Sequence, residues 1–221
     1  MSDQKLSLVH LVRKPLKASE GRPPVLILAH GYGSNEADLF DLAGYLDERL
    51  LVVSVRAPLS MGGGAFMWYP LSFGPGGIKA HDPAESKAGW EALNAFVDEV
   101  TGAYDVDPGQ VFLGGFSQGG IMSLAVGLQW PEKLAGVVVM SGLLLPEARA
   151  LAVTSGDKRL PIIGVHGKYD EVIPVSMGRA VEAGVADLPI DYTYREYPMG
   201  HSVSAESLAD IDGWLRARVS D

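Results

Sequence analysis

Five short apolar runs punctuate the chain: residues 24–29 (Pro-Val-Leu-Ile-Leu-Ala), Leu51 to Val55, Val111 to Leu113, Val137 to Met140 and Ile162 to Val165. Runs of this length, apolar at consecutive positions and rich in β-branched residues, suit strands buried on both faces of a parallel sheet. Residues 5–13 alternate instead, with Leu6, Leu8, His10 and Val12 in phase. That period of two predicts a half-exposed antiparallel strand at a sheet edge. Residues 190–196 (Ile-Asp-Tyr-Thr-Tyr-Arg-Glu) alternate as well and predict a last strand. Helical spacing fills the intervals at about 36–48, 84–103, 118–130, 175–187 and 203–219. Strand and helix alternate, so the fold class is α/β, a mostly parallel central sheet flanked by helices. Residues 60–83 fit neither period. They hold Gly62-Gly63-Gly64, then Phe66-Met67-Trp68-Tyr69, then Phe73-Gly74-Pro75-Gly76-Gly77. This stretch is expected to be a long irregular loop, and loops of that length usually carry function. There is no internal repeat and no linker, so residues 1–221 are expected to form one domain.

Composition narrows the class of partner. A net charge of −9 with no basic run disfavours nucleic acid and anionic membrane surfaces. No apolar run approaches the ~20 residues of a membrane span, and the first residues lack the apolar core of a signal peptide. The chain has no cysteine, which removes disulfides, thiolate metal sites and a cysteine nucleophile. These features fit a cytoplasmic protein without stable membrane insertion. A homodimer is compatible with them.

The chemistry concentrates where strands end. Gly115-Phe116-Ser117-Gln118-Gly119 reads G-x-S-x-G, after an apolar strand and before a helical segment. In that strand–turn–helix context the serine is a candidate nucleophile, held on a strained turn that tolerates no neighbouring β-carbons. Ligands of open α/β sheets bind outside the carboxyl ends of the strands. Asp170 follows the 162–165 run, His201 follows 190–196, and His30 follows 24–29, so all share the end that carries Ser117. Asp157 precedes its strand, which argues against a set made of Ser117, Asp157 and His166. His201 is the expected base and then general acid, and Asp170 the acceptor that fixes its tautomer. Each has a bland alternative: Ser117 as a helix N-cap, Asp170 as a loop Asx turn, His201 as part of a helix N-terminus. His166 reads as structural, and His10 and His81 as surface residues. His30-Gly31-Tyr32-Gly33-Ser34 suits an oxyanion loop, with backbone N–H donors assigned to Tyr32 and Gln118. On that assignment the Gln118 side chain should matter little. No metal or nucleotide motif is present, so no metal or cofactor is implied.

Taken together, these residues resemble the small carboxylesterases that group with acyl-protein thioesterases and lysophospholipases, over nearly the whole chain. Gly114 to Gly120 looks like the family's elbow and His30 to Gly33 its oxyanion loop. Ser141-Gly142 with Leu143-Leu144-Leu145-Pro146 resembles the segment after the next strand. His166-Gly167 with Asp170, Val172 and Pro174 resembles the acid loop, and Gly200-His201 the histidine loop. The resemblance implies an α/β-hydrolase fold and cofactor-free hydrolysis of esters with short to medium acyl chains; the sequence leaves no space for a large cap domain. Thioester or lysophospholipid hydrolysis is the alternative, and a non-catalytic ligand-binding protein a remote one. One departure is visible: Trp68-Tyr69 is followed by Pro70-Leu71, where many members have an acidic residue. Met67, Trp68, Leu71 and Phe73, with Val172 and Ile173 beside the acid, are the candidate pocket residues for a small-molecule ester.

Overall fold

A computed structural model describes residues 6–74, 77–156 and 158–219, with the side chains of Phe73 and residues 77–79 outside the description. The strands are β1 (His10–Arg13), β2 (Val25–Ala29), β3 (Leu51–Val55), β4 (Leu59–Gly62), β5 (Ala65–Met67), β6 (Ser72–Gly74), β7 (Gly77–Ala80), β8 (Val111–Phe116), β9 (Gly136–Met140), β10 (Leu160–Gly167) and β11 (Ile190–Tyr197). The helices are α1 (Pro83–Ala103), α2 (Gln118–Gln129), α3 (Pro146–Ala150), α4 (Val175–Val185) and α5 (Ala205–Arg216).

Seven strands form the main sheet in the order β1-β3-β2-β8-β9-β10-β11. Only β1 runs antiparallel, pairing His10 with Val55 at the edge; the other neighbours are parallel. β2, β3 and β9 are buried at every position, as their sequences, apolar apart from Ser54 in β3, require. Two cores result. One face packs α1, α2 and α4 through Trp90, Leu93, Phe96, Ile121, Leu124 and Val181. The other packs α5 and the 39–45 segment through Leu39, Leu46, Leu208, Ile211 and Trp214.

Two segments depart from the sequence reading. Residues 36–48 form a 3-10 helix only over Leu39–Tyr45, with no side-chain bond from its N-cap Asp38. Leu39, Ala43 and Leu46 bury one stripe, while Gly44 weakens longer helix and Leu46 N–H closes back on Ala43 O. The 60–83 segment is ordered as two hairpins, β4–β5 and β6–β7, each with a register irregularity. The first is tied to the β2 loop: Gly33 N–H donates to Phe66 O at 2.9 Å, and Phe66 N–H to Ser34 O at 2.8 Å. α3 has no counterpart in the sequence reading.

Candidate active site

The parallel order places the loops after β2, β8, β9, β10 and β11 at one end of the sheet, and the candidate residues meet there. Ser117 has φ 53° and ψ −118°, a strained conformation for a residue with a β-carbon. Its N–H donates to Met140 O at 2.8 Å, which anchors the turn to β9. Ser117 occupies the N-cap position of α2, yet its side chain makes no capping bond. Instead its Oγ lies 2.9 Å from His201 Nε2.

The glycines around it are positions of contact. A β-carbon at Gly119 would collide with the Ala29 carbonyl, and one at Gly115 with the Gly119 backbone. A β-carbon at Gly120 would sit 2.9 Å from Gly115 O. Strand β2, strand β8 and helix α2 therefore touch backbone to backbone below the nucleophile.

His201 Nδ1 lies 2.7 Å from Asp170 Oδ2. A carboxylate can only accept, so Nδ1 carries the hydrogen and the Nε2 lone pair faces the Ser117 hydroxyl. Asp170 is buried, and its other oxygen accepts from Val172 N–H at 2.9 Å and Ile173 N–H at 2.8 Å. Asp170 is thus an Asx-type turn and the partner of His201 at once. The N-terminus of α5 is capped by Ser204 in a capping box with Ser207, so His201 has no capping duty there. Backbone bonds lock the two loops together: Lys168 N–H to Tyr197 O at 2.8 Å and Tyr169 N–H to Met199 O at 3.0 Å.

The candidate oxyanion loop packs against the nucleophile. A β-carbon at Gly31 would lie 3.4 Å from Ser117 Cβ and 3.3 Å from Phe116 Cδ1. Gln118 opens α2, where N–H groups have no intrahelical acceptor. Tyr32 lies between Gly31 and Gly33, and the loop is held from beneath by His30. Burial lowers the pKa of His30. Its neutral ring donates from Nδ1 to Gly31 O at 2.7 Å and accepts Ala57 N–H at Nε2 at 3.0 Å. Glu36 pairs with Arg56, whose guanidinium stacks 4.5 Å from the Phe66 ring centre.

The Gln118 side chain is not idle. It is buried; its Oε1 accepts Trp68 N–H at 2.8 Å and its Nε2 donates to Tyr69 O at 2.7 Å. It binds the Trp68–Tyr69 segment to the elbow, a duty no pattern in the sequence announces. Trp68 is buried and gives its indole N–H to His30 O at 3.0 Å. Ile173 is buried too. Met67 and Val172 are half-buried, and Leu71 borders a shallow groove with His81 and Glu85. The Phe73 side chain and Asp157 lie outside the described residues.

Of two cavities, only the smaller is lined by a member of the Ser117–His201–Asp170 set, His201. One of about 350 Å³ is lined by Tyr69, His81, Leu143, Leu144, Leu145 and Met177. Leu143 to Leu145 follow β9, whose last residue Met140 anchors Ser117. A smaller one of about 230 Å³ is lined by Leu39, Leu42, Phe116, His201 and Val203. The Phe116 and His201 rings pack with centres 4.8 Å apart. Trp68 and Ile173, given pocket roles in the sequence reading, are both buried, and neither lines these two cavities. His10 and His81 are not simple surface residues: His10 Nε2 bonds Tyr104 OH at 2.7 Å, and His81 Nε2 lies 2.6 Å from Glu147 Oε1. Among the described residues no three His, Asp or Glu side chains gather as a metal site would require, and no helix is long and apolar enough to cross a membrane.

An open, mostly parallel sheet flanked by helices, with Ser117, Asp170 and His201 on loops at one end, defines the class, an α/β-hydrolase fold. Solved structures agree on the fold. The chain superposes on esterase PE8 with a TM-score of 0.80 at 24% identity, covering 96% of this chain and 99% of that one. It superposes on the Bacillus cereus carboxylesterase at 0.80 and 21%, covering 96% and 95%. Residues 16–219 match the model of the phospholipase/carboxylesterase family, and the chain belongs to that family. Relatives include acyl-protein thioesterase 1 of Gibberella zeae, 34% identical over 51% of this chain and 49% of its own length. Acyl-protein thioesterase 1 of Saccharomyces cerevisiae is 27% identical over 95% and 98%. A probable carboxylesterase of Oryza sativa is 29% identical over 93% and 82%. This chain spans about half the length of the Gibberella relative.

Proposed function

We propose that this family member is a serine carboxylesterase for short- to medium-chain esters, acting through Ser117, His201 and Asp170. The observation that carries the reading is the serine at a helix N-cap that leaves its cap unmade and bonds His201 instead. His201 takes the Ser117 proton as Oγ attacks the ester carbonyl. Charge develops on the carbonyl oxygen, opposite the N–H groups of Gln118 and Tyr32. The imidazolium, stabilised by Asp170, returns its proton to the leaving alcohol as the C–O bond breaks. Water then gives a proton to His201, attacks the acyl-enzyme, and releases the acid; the proton goes back to Ser117.

His201 must reach the leaving oxygen, so the cavity walled by Phe116 and His201 suits the alcohol part. The larger leucine-lined cavity suits the acyl chain, each buried CH₂ adding about 0.8 kcal/mol until the cavity ends. The test is covalent labelling by a fluorophosphonate, together with rates on p-nitrophenyl esters from C2 to C16. Labelling of Ser117 and an optimum at short to medium chains are expected. No labelling, or a steady rise to C16 with activation at an oil–water interface, would overturn the reading. Thioester hydrolysis is the second reading, favoured by the printed names of two relatives. The same acyl chain on an oxygen, a thiol or a glycerophosphocholine leaving group separates it from ester and lysophospholipid hydrolysis.

A further inference from the structure

His166 is a polar residue in a buried strand, one position before the end of β10, and it has no part in the reaction as written. Its side chain is 2% exposed. Burying an imidazole is costly unless its nitrogens find partners. Nε2 lies 2.8 Å from Ile173 O and 3.4 Å from Asp170 Oδ2. Both neighbours are oxygens that accept, so Nε2 carries a hydrogen. The first contact is a full hydrogen bond; the second is longer than the usual 3.2 Å limit and is a close approach to the carboxylate, not a hydrogen bond.

Ile173 is thereby held on both sides. Its carbonyl is taken by His166, and its N–H donates to Asp170 Oδ1 at 2.8 Å. Asp170 Oδ1 receives Val172 N–H as well, while Oδ2 faces His201 Nδ1 at 2.7 Å with the His166 N–H beside it. The backbone bonds between the acid and histidine loops fix where Asp170 begins. The rotation of its carboxylate depends on the Val172 and Ile173 N–H groups that hold Oδ1, and the His166 bond to Ile173 O steadies the second of them.

The brace itself is closely packed. A β-carbon at Gly178 of α4 would lie 2.5 Å from His166 Nδ1 and 2.6 Å from Tyr194 Oη, so the helix backbone rests directly on the ring. Gly167, the next residue, touches the Met199 and Gly200 carbonyls in the same way.

We propose that His166 is a positioning residue: by holding Ile173 O, and with it the Ile173 N–H that bonds Oδ1, it sets the plane of the Asp170 carboxylate so that Oδ2 lies in line with His201 Nδ1–H. The inference rests on the hydrolytic reading above. Misplacing a catalytic group by about 1 Å can cost 10²-fold in rate.

The experiment compares the wild-type protein with His166→Met, which fills the space without a donor, and His166→Gln, whose amide replaces the Nε2 donor. kcat and KM on p-nitrophenyl butyrate, melting temperature and the low-field proton NMR signal of the His201–Asp170 hydrogen bond are measured for each. His166→Met should lower kcat by roughly 10- to 100-fold with KM within about threefold, and should broaden or shift the low-field proton. His166→Gln should restore most of kcat. A His166→Met protein with wild-type kcat and an unchanged low-field proton would overturn the proposal, whatever its melting temperature. Should that variant fail to fold, His166→Asn, too short to reach Ile173 O, is set against His166→Gln, and equal kcat in the pair would overturn it. Failure of the hydrolytic reading looks different: the wild-type protein would neither turn over ester nor take up fluorophosphonate, while the NMR comparison still tests the brace.

Discussion

Two glycine clusters serve opposite purposes. At the elbow, Gly115, Gly119 and Gly120 have backbone atoms where a β-carbon would go. At the tip of the β4–β5 hairpin, Gly62, Gly63 and Gly64 have nothing within 4 Å of that position, but φ values of +83°, +60° and +83°. The elbow uses glycine for closeness, the hairpin for handedness. A substitution at the elbow must move a strand or helix that carries the nucleophile. One at the hairpin strains only the turn.

The largest effect sets the reference for the comparison. Ser117→Ala removes the hydroxyl that bonds His201 and should lower turnover by about 10⁴- to 10⁶-fold, with a melting temperature near wild type, since alanine keeps the β-carbon and the same backbone. Retention of more than a few per cent of activity in purified protein would dismiss the nucleophile assignment. Next comes Gly119→Ala. One methyl group already collides with the Ala29 carbonyl. Turnover should fall by about 10²-fold or more, with a clear drop in melting temperature. An active, stable Gly119→Ala protein would remove the closeness argument.

Gln118→Ala is the sharper test, because the structure changes its expected outcome. If the residue gave only its backbone N–H, loss of the side chain would be mild. Its amide, however, satisfies Trp68 N–H and Tyr69 O in the interior. Each buried group left unpaired costs roughly 1–3 kcal/mol, so a stability loss of about 2–4 kcal/mol is expected. Urea unfolding measures it, and turnover of the folded fraction should fall far less than in Ser117→Ala.

What could be read in advance follows the same division. The β2, β3, β8, β9 and β10 strands each carry an apolar run because both faces are covered, with Ser54 in β3 and His166 in β10 as the polar exceptions. The elbow was legible because its glycines answer one steric demand at fixed spacing. The β4–β5 and β6–β7 hairpins were not, since β4 is exposed throughout and no buried stripe marks its period. The Gly62–Gly64 turn between Leu59-Ser60-Met61 and Ala65-Phe66-Met67 was the one available signal. The burial of Trp68 and Ile173 could not be read either, because an apolar loop residue looks the same whether it faces a cavity or the core. The Gln118 and His166 bonds depend on groups 50 and 7 residues away, and a single sequence carries no mark of such pairings.

The smallest effects come from glycines at which the added methyl meets open space. Gly63→Ala keeps its room but places an L-residue at φ +60°, a left-handed conformation costing about 1–2 kcal/mol. Gly213, exposed in the interior of α5, has the same open surroundings and no positive φ. There the methyl group removes backbone freedom from the unfolded chain and strains nothing, so Gly213→Ala should stabilise by about 0.4–1 kcal/mol. Ester turnover should be unchanged in both variants, because neither residue touches the elbow or the loops around His201. Melting temperatures should therefore move in opposite directions for one identical chemical change. If Gly63→Ala were as stable as the parent, the hairpin would tolerate a different turn and handedness would not explain its glycines. If Gly213→Ala destabilised, crowding would have to reach a site where the backbone leaves space, and closeness would cease to distinguish the elbow from the rest of the chain.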